Sequence, residues 1–339
     1  MISVPDGVAR DMRAIRALAA GGTEVLSLDD LPDPTAGPGQ VVVAVEAAGV
    51  NFIDVYHRAG VYPVSYPRIL GTEGAGVVAD VGPGVDGVQV GDRVAWAGGS
   101  QGSYTDRAVV DADALVPVPA AVTTEVAAAT MLQGLTAHAL VDGVFPVREG
   151  QDVLVHAGAG GVGLLATQLA AARGARVITT VSSAAKEELS RAAGAADVIR
   201  YDELADLTAE LPALVRSLTD GAGVHTVFDG VGRATFDASL DSLRPRGGLA
   251  LFGGASGQVP PVDPQRLNRA GSVYLTRPGV WDYIAPREAL LERAAAVLGA
   301  VAEGTLSILI SDRFPLADAA QAHTALEGRA TTGKVLLLP

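Results

Sequence analysis

The sequence contains no cysteine, so disulfides, thiolate metal ligands and a cysteine nucleophile are all excluded. Lysine is nearly as scarce: Lys186 and Lys334 are the only two, and every other fixed cationic side chain is arginine. With 38 acidic residues against 25 basic ones the formal net charge is −13, which leaves no general basic face for duplex nucleic acid or an anionic membrane. A local pocket for one phosphate is still allowed. Apolar stretches are interrupted by Gly, Pro, Asp or Arg before they reach the about 20 residues of a spanning helix. The opening segment MISVPDGVARDMR carries Asp6 and Asp11 and lacks the apolar core of a secretory signal, so we expect a soluble, cytoplasmic protein. The five histidines (His57, His138, His156, His225, His323) show no ligand spacing such as HxxxH and have no cysteine to join them. Core or surface roles are expected of each.

At 339 residues, 49% of them hydrophobic, the chain is long enough for two domains with substantial cores. Residues 12 to about 125 read as short strands broken by Gly and Pro turns, as in QVVVAVEAAGV, GAGVVADVGPGV and GDRVAWAGG. We expect an all-β, barrel-like region there. From about Thr124 the texture changes to Ala/Leu helical periodicity, and strands near VLVHA, ARVITTV, DVIRY, HTVFD and LALFG then alternate with helices. SVYLTR reads as a sixth strand. It is followed by a helix over Pro286 to Glu303, a strand near SILISDRF, a helix around Ala317 to Leu326 and a terminal strand KVLLLP. Because this tail does not extend the alternation, it is expected to return to the first domain. The domains are then 1–125 with 268–339, and 126–267 inserted between them. The first eleven residues have no place in the pattern and are expected to form a loose arm.

The most informative stretch is Gln151 to Leu169, QDVLVHAGAGGVGLLATQL: an apolar strand, a glycine turn, then an Ala/Leu-rich helix. This is a GxGxxG dinucleotide fingerprint in its required context. Gly158 is expected to permit the tight turn, Gly160 to let backbone approach a pyrophosphate, and Gly163 to let the helix pack on its strand. The pyrophosphate would lie on the helix N-terminus. About twenty residues after the first glycine an acidic residue would mark a free ribose hydroxyl. Instead the strand ARVITTV runs into Ser182, Ser183 and Lys186, hydrogen-bond donors and a cation suited to a 2′-phosphate. NADP(H) is therefore expected over NAD(H); the alternative role for Lys186 is a solvated helix lysine paired with a neighbouring Glu.

Taken together, GVNFIDVYHRAGVYP, GTEGAGVV, GDRV, QGLTAH, HAGAGGVG, FDGVGR, TRP and RATTGKVLL resemble, in order, the zinc-free quinone oxidoreductase branch of the medium-chain dehydrogenase/reductase superfamily, which includes zeta-crystallin. The resemblance covers Met12 to Pro339. It implies an α/β fold of a GroES-like β-barrel catalytic domain and a Rossmann doubly wound parallel sheet, and a homodimer pairing through the Rossmann sheet edge. Thr72 stands where the zinc alcohol dehydrogenase cousins have histidine, and the interval after GDRV is too short for their four-cysteine lobe. Without a Lewis acid, alcohol oxidation is disfavoured, whereas hydride delivery to a quinone or polarised enone needs none.

By the same resemblance Asn51, Asp54 and Tyr56 are the catalytic candidates. Tyr56 would donate to the developing oxyanion and Asn51 would orient it. The alternative is that Asp54 caps a turn or short helix while Tyr56 packs. Arg58 and Tyr62 are weaker candidates. Gln133, Thr136, Gly158, Gly160, Gly161, Val162, Gly163, Ser182, Lys186, Tyr201, Phe252, Gly253, Ser256 and Arg329 match cofactor positions, although many relatives have lysine at the place of Gln133. Asp229 ends a strand near the expected cofactor site, with turn-making as its other reading. The resemblance implies an NADPH-dependent, zinc-independent reductase of a small quinone or conjugated carbonyl. Two other readings stay open: an enoyl or acryloyl thioester reductase, and a non-catalytic NADPH-binding structural or RNA-binding protein, the last disfavoured by the acidic charge.

Overall fold

The computed structural model describes residues 11–99, 102–329 and 331–339. Asp11 already lies in a strand, and the rest of the expected loose arm falls outside the described residues. Through Leu132, and again over Ile310–Pro339, the chain forms one compact unit; Gln133–Leu309 forms the other.

The first unit is organised on the strand Gln40–Val50, whose run of Val and Ala is buried along nearly its whole length. A strand covered on both faces reads as a continuous apolar run rather than an alternating one. It pairs antiparallel with Glu73–Val81, Arg107–Asp111 and the terminal strand Lys334–Leu338. Arg93–Ala97, Leu115–Pro117 and Ile310–Pro315 complete a seven-stranded sheet, and a three-stranded sheet of Leu26–Pro32, Asp11–Ala17 and Arg68–Ile69 stands apart from it. Val43, Val50, Leu70, Trp96, Leu115 and Leu337 share one core. This is the barrel-like β region expected from the short, turn-punctuated strands.

Inside that core sits an ion pair. Lys334 (1% exposed) opens the last strand, and its ammonium donates to Glu73 Oε1 and to Asn51 Oδ1 (2.8 Å). Glu73 (0% exposed) also accepts from Asn51 Nδ2 (2.7 Å) through Oε1 and from the Leu132 N–H (2.6 Å) through Oε2. Room for the carboxylate comes from Gly49, Glu73's cross-strand partner, where a Cβ would fall 2.2 Å from Oε1.

The second unit is a six-stranded sheet, parallel throughout. Numbered along the chain, its strands Asp152–Val155, Arg176–Val181, Asp197–Arg200, Val224–Asp229, Leu243–Leu251 and Tyr274–Thr276 lie in the order 3-2-1-4-5-6. That order reverses between the first and fourth strands, whose carboxyl ends flank the crevice where doubly wound sheets bind dinucleotides. Here the structure corrects the expected boundary at 268. Tyr274–Thr276 pairs parallel with Leu243–Leu251, and Val297 of the helix Arg287–Ala302 is buried with Val153 and Phe228. The tail through Leu309 therefore belongs to the Rossmann-type unit, because a sixth parallel strand needs a covering helix as much as the first five do.

The fingerprint also acts differently in detail. The left-handed turn residue is Ala157 (φ 54°), not Gly158. Gly158 matters for lacking a side chain: a Cβ would lie 2.6 Å from Thr179 Cβ and 2.7 Å from Ser190 Oγ. At Gly163 a Cβ would lie 2.1 Å from Ala157 O, so the helix Gly161–Ala172 rests on its strand as expected, while Gly160 meets nothing nearer than 3.2 Å.

Two outcomes follow for stability, both read by urea unfolding. Gly163→Ala should cost about 1–3 kcal/mol, because the backbone it strikes cannot turn aside, whereas Gly160→Ala should cost less than about 1 kcal/mol. Lys334→Met should cost about 3–5 kcal/mol by leaving Glu73 buried and unpaired, and adding Glu73→Leu should recover most of that loss. A double variant no more stable than Lys334→Met would show that the pair is not the source.

Candidate active site

The segment Phe52–Arg58 is a helix of about two turns whose N-cap, Asn51, rests on the buried ion pair. Asn51 is the N-cap and forms a capping box with Asp54: Asn51's side chain receives a backbone N–H of the first turn, and the Asn51 N–H donates to Asp54 Oδ2 (2.9 Å). Asn51's amide is fixed further by Lys334, which donates to Oδ1, and by Glu73, which accepts from Nδ2. Asp54 is sealed from solvent and accepts from Thr72 Oγ1 (2.5 Å) and Tyr104 Oη (3.2 Å). Burial pushes its carboxyl up to about 6. The capping alternative for Asp54 is thus what the geometry displays. Tyr56 is half-buried, edge-on to Tyr62 at 5.3 Å between ring centroids and 6.3 Å from Phe52.

Arg58, a weaker candidate in the sequence, is buried at the helix's far end. It makes a two-pronged bond to Glu327 (2.9 Å each) and donates to His323 Nδ1 (3.1 Å). His323 is therefore a core histidine, held neutral by burial and by Arg58, which push it down to about 3. Arg329 lies exposed just beyond Glu327, in a left-handed conformation (φ 56°).

In the second unit, Ser183 N-caps the helix Ala184–Ala192, accepting from the Lys186 N–H, while Lys186 Nζ donates to Ser182 Oγ (3.2 Å). The three predicted phosphate-site residues are together, at the end of the strand Arg176–Val181. The neighbouring Glu187 is engaged with Arg191 (2.8 Å). Tyr201 is half-buried at the end of the next strand, whose Arg200 pairs with Asp202 and Glu203. Gln133 lies against the fingerprint, its amide filling the space a Cβ on Gly161 would take. Thr136 and Phe252 share a shallow apolar crevice with Leu140, Val144, Pro278 and Tyr283. Val162 is half-buried on the first turn of the fingerprint helix.

The two loops following the fourth and fifth strands of this sheet are laced together. Gly253 packs on Gly230, where a Cβ would lie 2.2 Å from the carbonyl oxygen. Ser256 Oγ donates to Val231 O and receives the Ala234 N–H, so its hydroxyl is spent on loop geometry. Asp229 holds the first loop, accepting from Val231 N, Gly232 N, Thr235 Oγ1 and Ser239 Oγ at 2.7–3.0 Å. Ser239 in turn meets His156 Nε2 (2.9 Å), and His156 Nδ1 meets Thr180 Oγ1 (2.9 Å). Turn-making is what Asp229 does here.

The residues present fit NADP(H). The fingerprint helix begins at a glycine N-cap that carries no side chain over its first turn, and hydroxyls with an ammonium stand where a 2′-phosphate would lie. They do not fit a catalytic zinc ion: cysteine is absent, and no group of three or more His, Asp or Glu side chains is gathered among the described residues. Sequence reasoning passed over Glu73, Tyr104, His323 and Lys334 as site residues. The signal was there for two of them, a lone lysine heading the apolar run VLLL and a lone glutamate in the glycine-rich GTEGAG, since charges in such company must be paired.

Comparison with known proteins agrees with this geometry. Residues 37–120 match the alcohol dehydrogenase GroES-like domain model and residues 161–280 the zinc-binding dehydrogenase model. The chain is 43% identical to a quinone oxidoreductase of Pseudomonas aeruginosa, over 96% of this chain and 99% of that one. It is 38% identical to a 2-haloacrylate reductase of a Burkholderia species, over 94% and 96%. A mycobacterial structure solved with NADPH superposes with a TM-score of 0.93 at 50% identity, over 96% of this chain and all of that one. The Escherichia coli quinone oxidoreductase complexed with NADPH does so with 0.93 at 40% identity, over 96% and 100%. With near-complete coverage at these identities, and with the barrel, the parallel sheet and the glycine fingerprint in place, the chain belongs to the quinone oxidoreductase branch of the medium-chain dehydrogenase/reductase superfamily.

Proposed function

We propose that this protein is an NADPH-dependent reductase that delivers hydride to a quinone or a conjugated carbonyl without a metal. The observation that carries the cofactor choice is the Ser182, Ser183 and Lys186 group at the end of its strand, with Glu187 diverted to Arg191. NADPH in the mycobacterial and E. coli structures supports it, and the names of the relatives support the acceptor class.

When bound, the dinucleotide supplies the hydride from nicotinamide C4. The chain's own residues do the rest. Lys186 and the two serine hydroxyls hold the 2′-phosphate, the first-turn N–H groups after Gly160 hold the pyrophosphate, and Tyr201 borders the adenosine end. Gln133, Thr136, Phe252, Gly253 and Ser256 shape the nicotinamide end. Tyr56 offers its phenolic O–H to the acceptor oxygen as negative charge develops, on a helix whose first residue, Asn51, is clamped by Lys334 and Glu73. Asp54, wholly buried, is a positioning residue and does not touch the acceptor. The proton that completes the reduction comes from Tyr56 or water.

A homodimer formed along the edge strand Tyr274–Thr276, where Tyr274 is 60% exposed, and a cytoplasmic location belong to the same reading. No helix among the described residues is long and apolar enough to cross a membrane. The Burkholderia relative supports one second reading, an activated-alkene reductase on the same scaffold.

Steady-state assays with an ortho-quinone, a simple enone and 2-haloacrylate decide among these. NADPH with the quinone should give the highest kcat/KM, with NADH at least about tenfold poorer. Fastest turnover of haloacrylate would favour the second reading, and NADPH binding with no oxidation by any acceptor would end the enzymatic one. Lys186→Ala should raise the Kd for NADPH by about ten- to a hundredfold, the loss of one or two charge-assisted bonds, and barely change that for NADH. Equal losses for both cofactors would refute the phosphate site.

A further inference from the structure

Behind Asp54 lies a chain of three hydrogen bonds, closed into a ring by the helix that carries both its ends, which the proposed reduction does not use. Arg58 stands one turn after Asp54 on the same helix, and the gap is bridged from outside by His323 and Tyr104. Tyr104, His323 and Asp54 are fully buried and Arg58 nearly so. The ring's directions follow from what each group can do. A guanidinium only donates, so His323 Nδ1, 3.1 Å from Arg58 Nη1, must accept. A neutral imidazole then carries its proton on Nε2, 3.2 Å from Tyr104 Oη. With that N–H donated to its oxygen, the Tyr104 hydroxyl has one place for its own proton, Asp54 Oδ2 at 3.2 Å. The Asn51 N–H and the Thr72 hydroxyl donate to the same carboxylate.

We propose that His323 is a positioning residue for the active-site helix: fixed as the Nε2–H tautomer by Arg58, it turns the Tyr104 hydroxyl toward Asp54 and keeps that carboxylate an acceptor for the N-cap. A merely space-filling role would be served as well by apolar side chains, which carry no desolvation cost.

The groups facing the ring set its pH behaviour. Lys334 and Glu73 act on Asp54 through space, while Arg58, itself paired with Glu327, faces His323. Burial brings the Asp54 carboxyl to about 6 and His323 to about 3, so only the carboxylate titrates between pH 5 and 8. A proton on Asp54 would face three donors. On Oδ2 its acceptor is Tyr104 Oη, whose own proton then has no partner unless His323 moves its proton to Nδ1, the atom Arg58 occupies; on Oδ1 the acceptor is the Thr72 hydroxyl, which must turn its own proton away. His323 thus opposes protonation of Asp54, and the active form is the one with Asp54 ionised.

The test has two arms, and only the kinetic one rests on the reductase reading. In uniformly 15N-labelled protein, with His323→Gln identifying the signal, the His323 ring should show the neutral Nε2–H pattern throughout pH 5–8. An imidazolium or Nδ1–H pattern would overturn the proposal, whether or not any acceptor is reduced. In quinone turnover, His323→Leu should move the acid limb of the kcat profile up by about one pH unit, the loss of one hydrogen bond to a charged group. Tyr104→Phe should do the same, and the double variant should shift no further. His323→Gln keeps an acceptor for Arg58 and a donor for Tyr104, and should restore the limb. An unmoved limb in Tyr104→Phe, additive shifts in the double variant, or a Gln variant like the Leu one would overturn the ring. Should His323→Leu fail to fold, Tyr104→Phe and the nitrogen spectrum decide. Absence of quinone turnover in the unaltered protein would defeat the proposed function and leave the spectrum to judge the ring.

Discussion

Two opposite charges sealed inside a β-barrel, Lys334 and Glu73, are the constraint on which the catalytic unit depends. Separately, each would be intolerable there; together, with the Asn51 amide and the Leu132 N–H completing their bonds, they are fully satisfied. The pair joins positions 261 residues apart, so the terminal strand cannot slip in register without stranding an ammonium in the core. Such a pair need not add stability over apolar side chains of like volume. Its contribution is specificity, since one arrangement satisfies every atom, and that arrangement sets Asn51 at the head of the helix Phe52–Arg58.

The same logic recurs at both ends of the helix and in the second unit. Asp54 and Asp229 are each buried carboxylates surrounded by donors, one fixing a helix N-terminus and the other a loop beside the expected nicotinamide site. Neither faces solvent. Tyr56 stands one turn along the helix that Asp54 caps, while Lys186 and its serines hold one another at a helix N-terminus. His156, just after the first strand of the parallel sheet, bonds Thr180 on the second strand and Ser239 on the helix Phe236–Asp241, so the fingerprint turn and the Asp229 loop rest on one network.

Much of this was legible in the sequence. Strand and helix alternation through Ala255 and the glycine fingerprint were local signals, and the structure follows them. The domain boundary was not local: SVYLTR read as a strand, but nothing in its residues says which sheet it joins, and that is settled by pairing with Leu243–Leu251. The turn residue was misread at Gly158 because glycine is the usual holder of positive φ, whereas here Ala157 takes the left-handed geometry and Gly158 serves close packing. Asn51, Asp54 and Tyr56 were found as a motif, but Asp54's burial depends on Thr72 and Tyr104, brought to it from 18 and 50 residues away. Tyr104 and His323 escape for the same reason, since their roles are defined by partners distant in the chain.

In the proposed reaction the hydride passes directly from NADPH to the acceptor. A single-turnover experiment tests it most directly, mixing protein loaded with NADPH, or with NADPH deuterated at the transferred C4 position, against excess ortho-quinone. One exponential phase of nicotinamide oxidation is expected, slower for the deuterated cofactor. Equal rates for the two cofactors in that phase would contradict it.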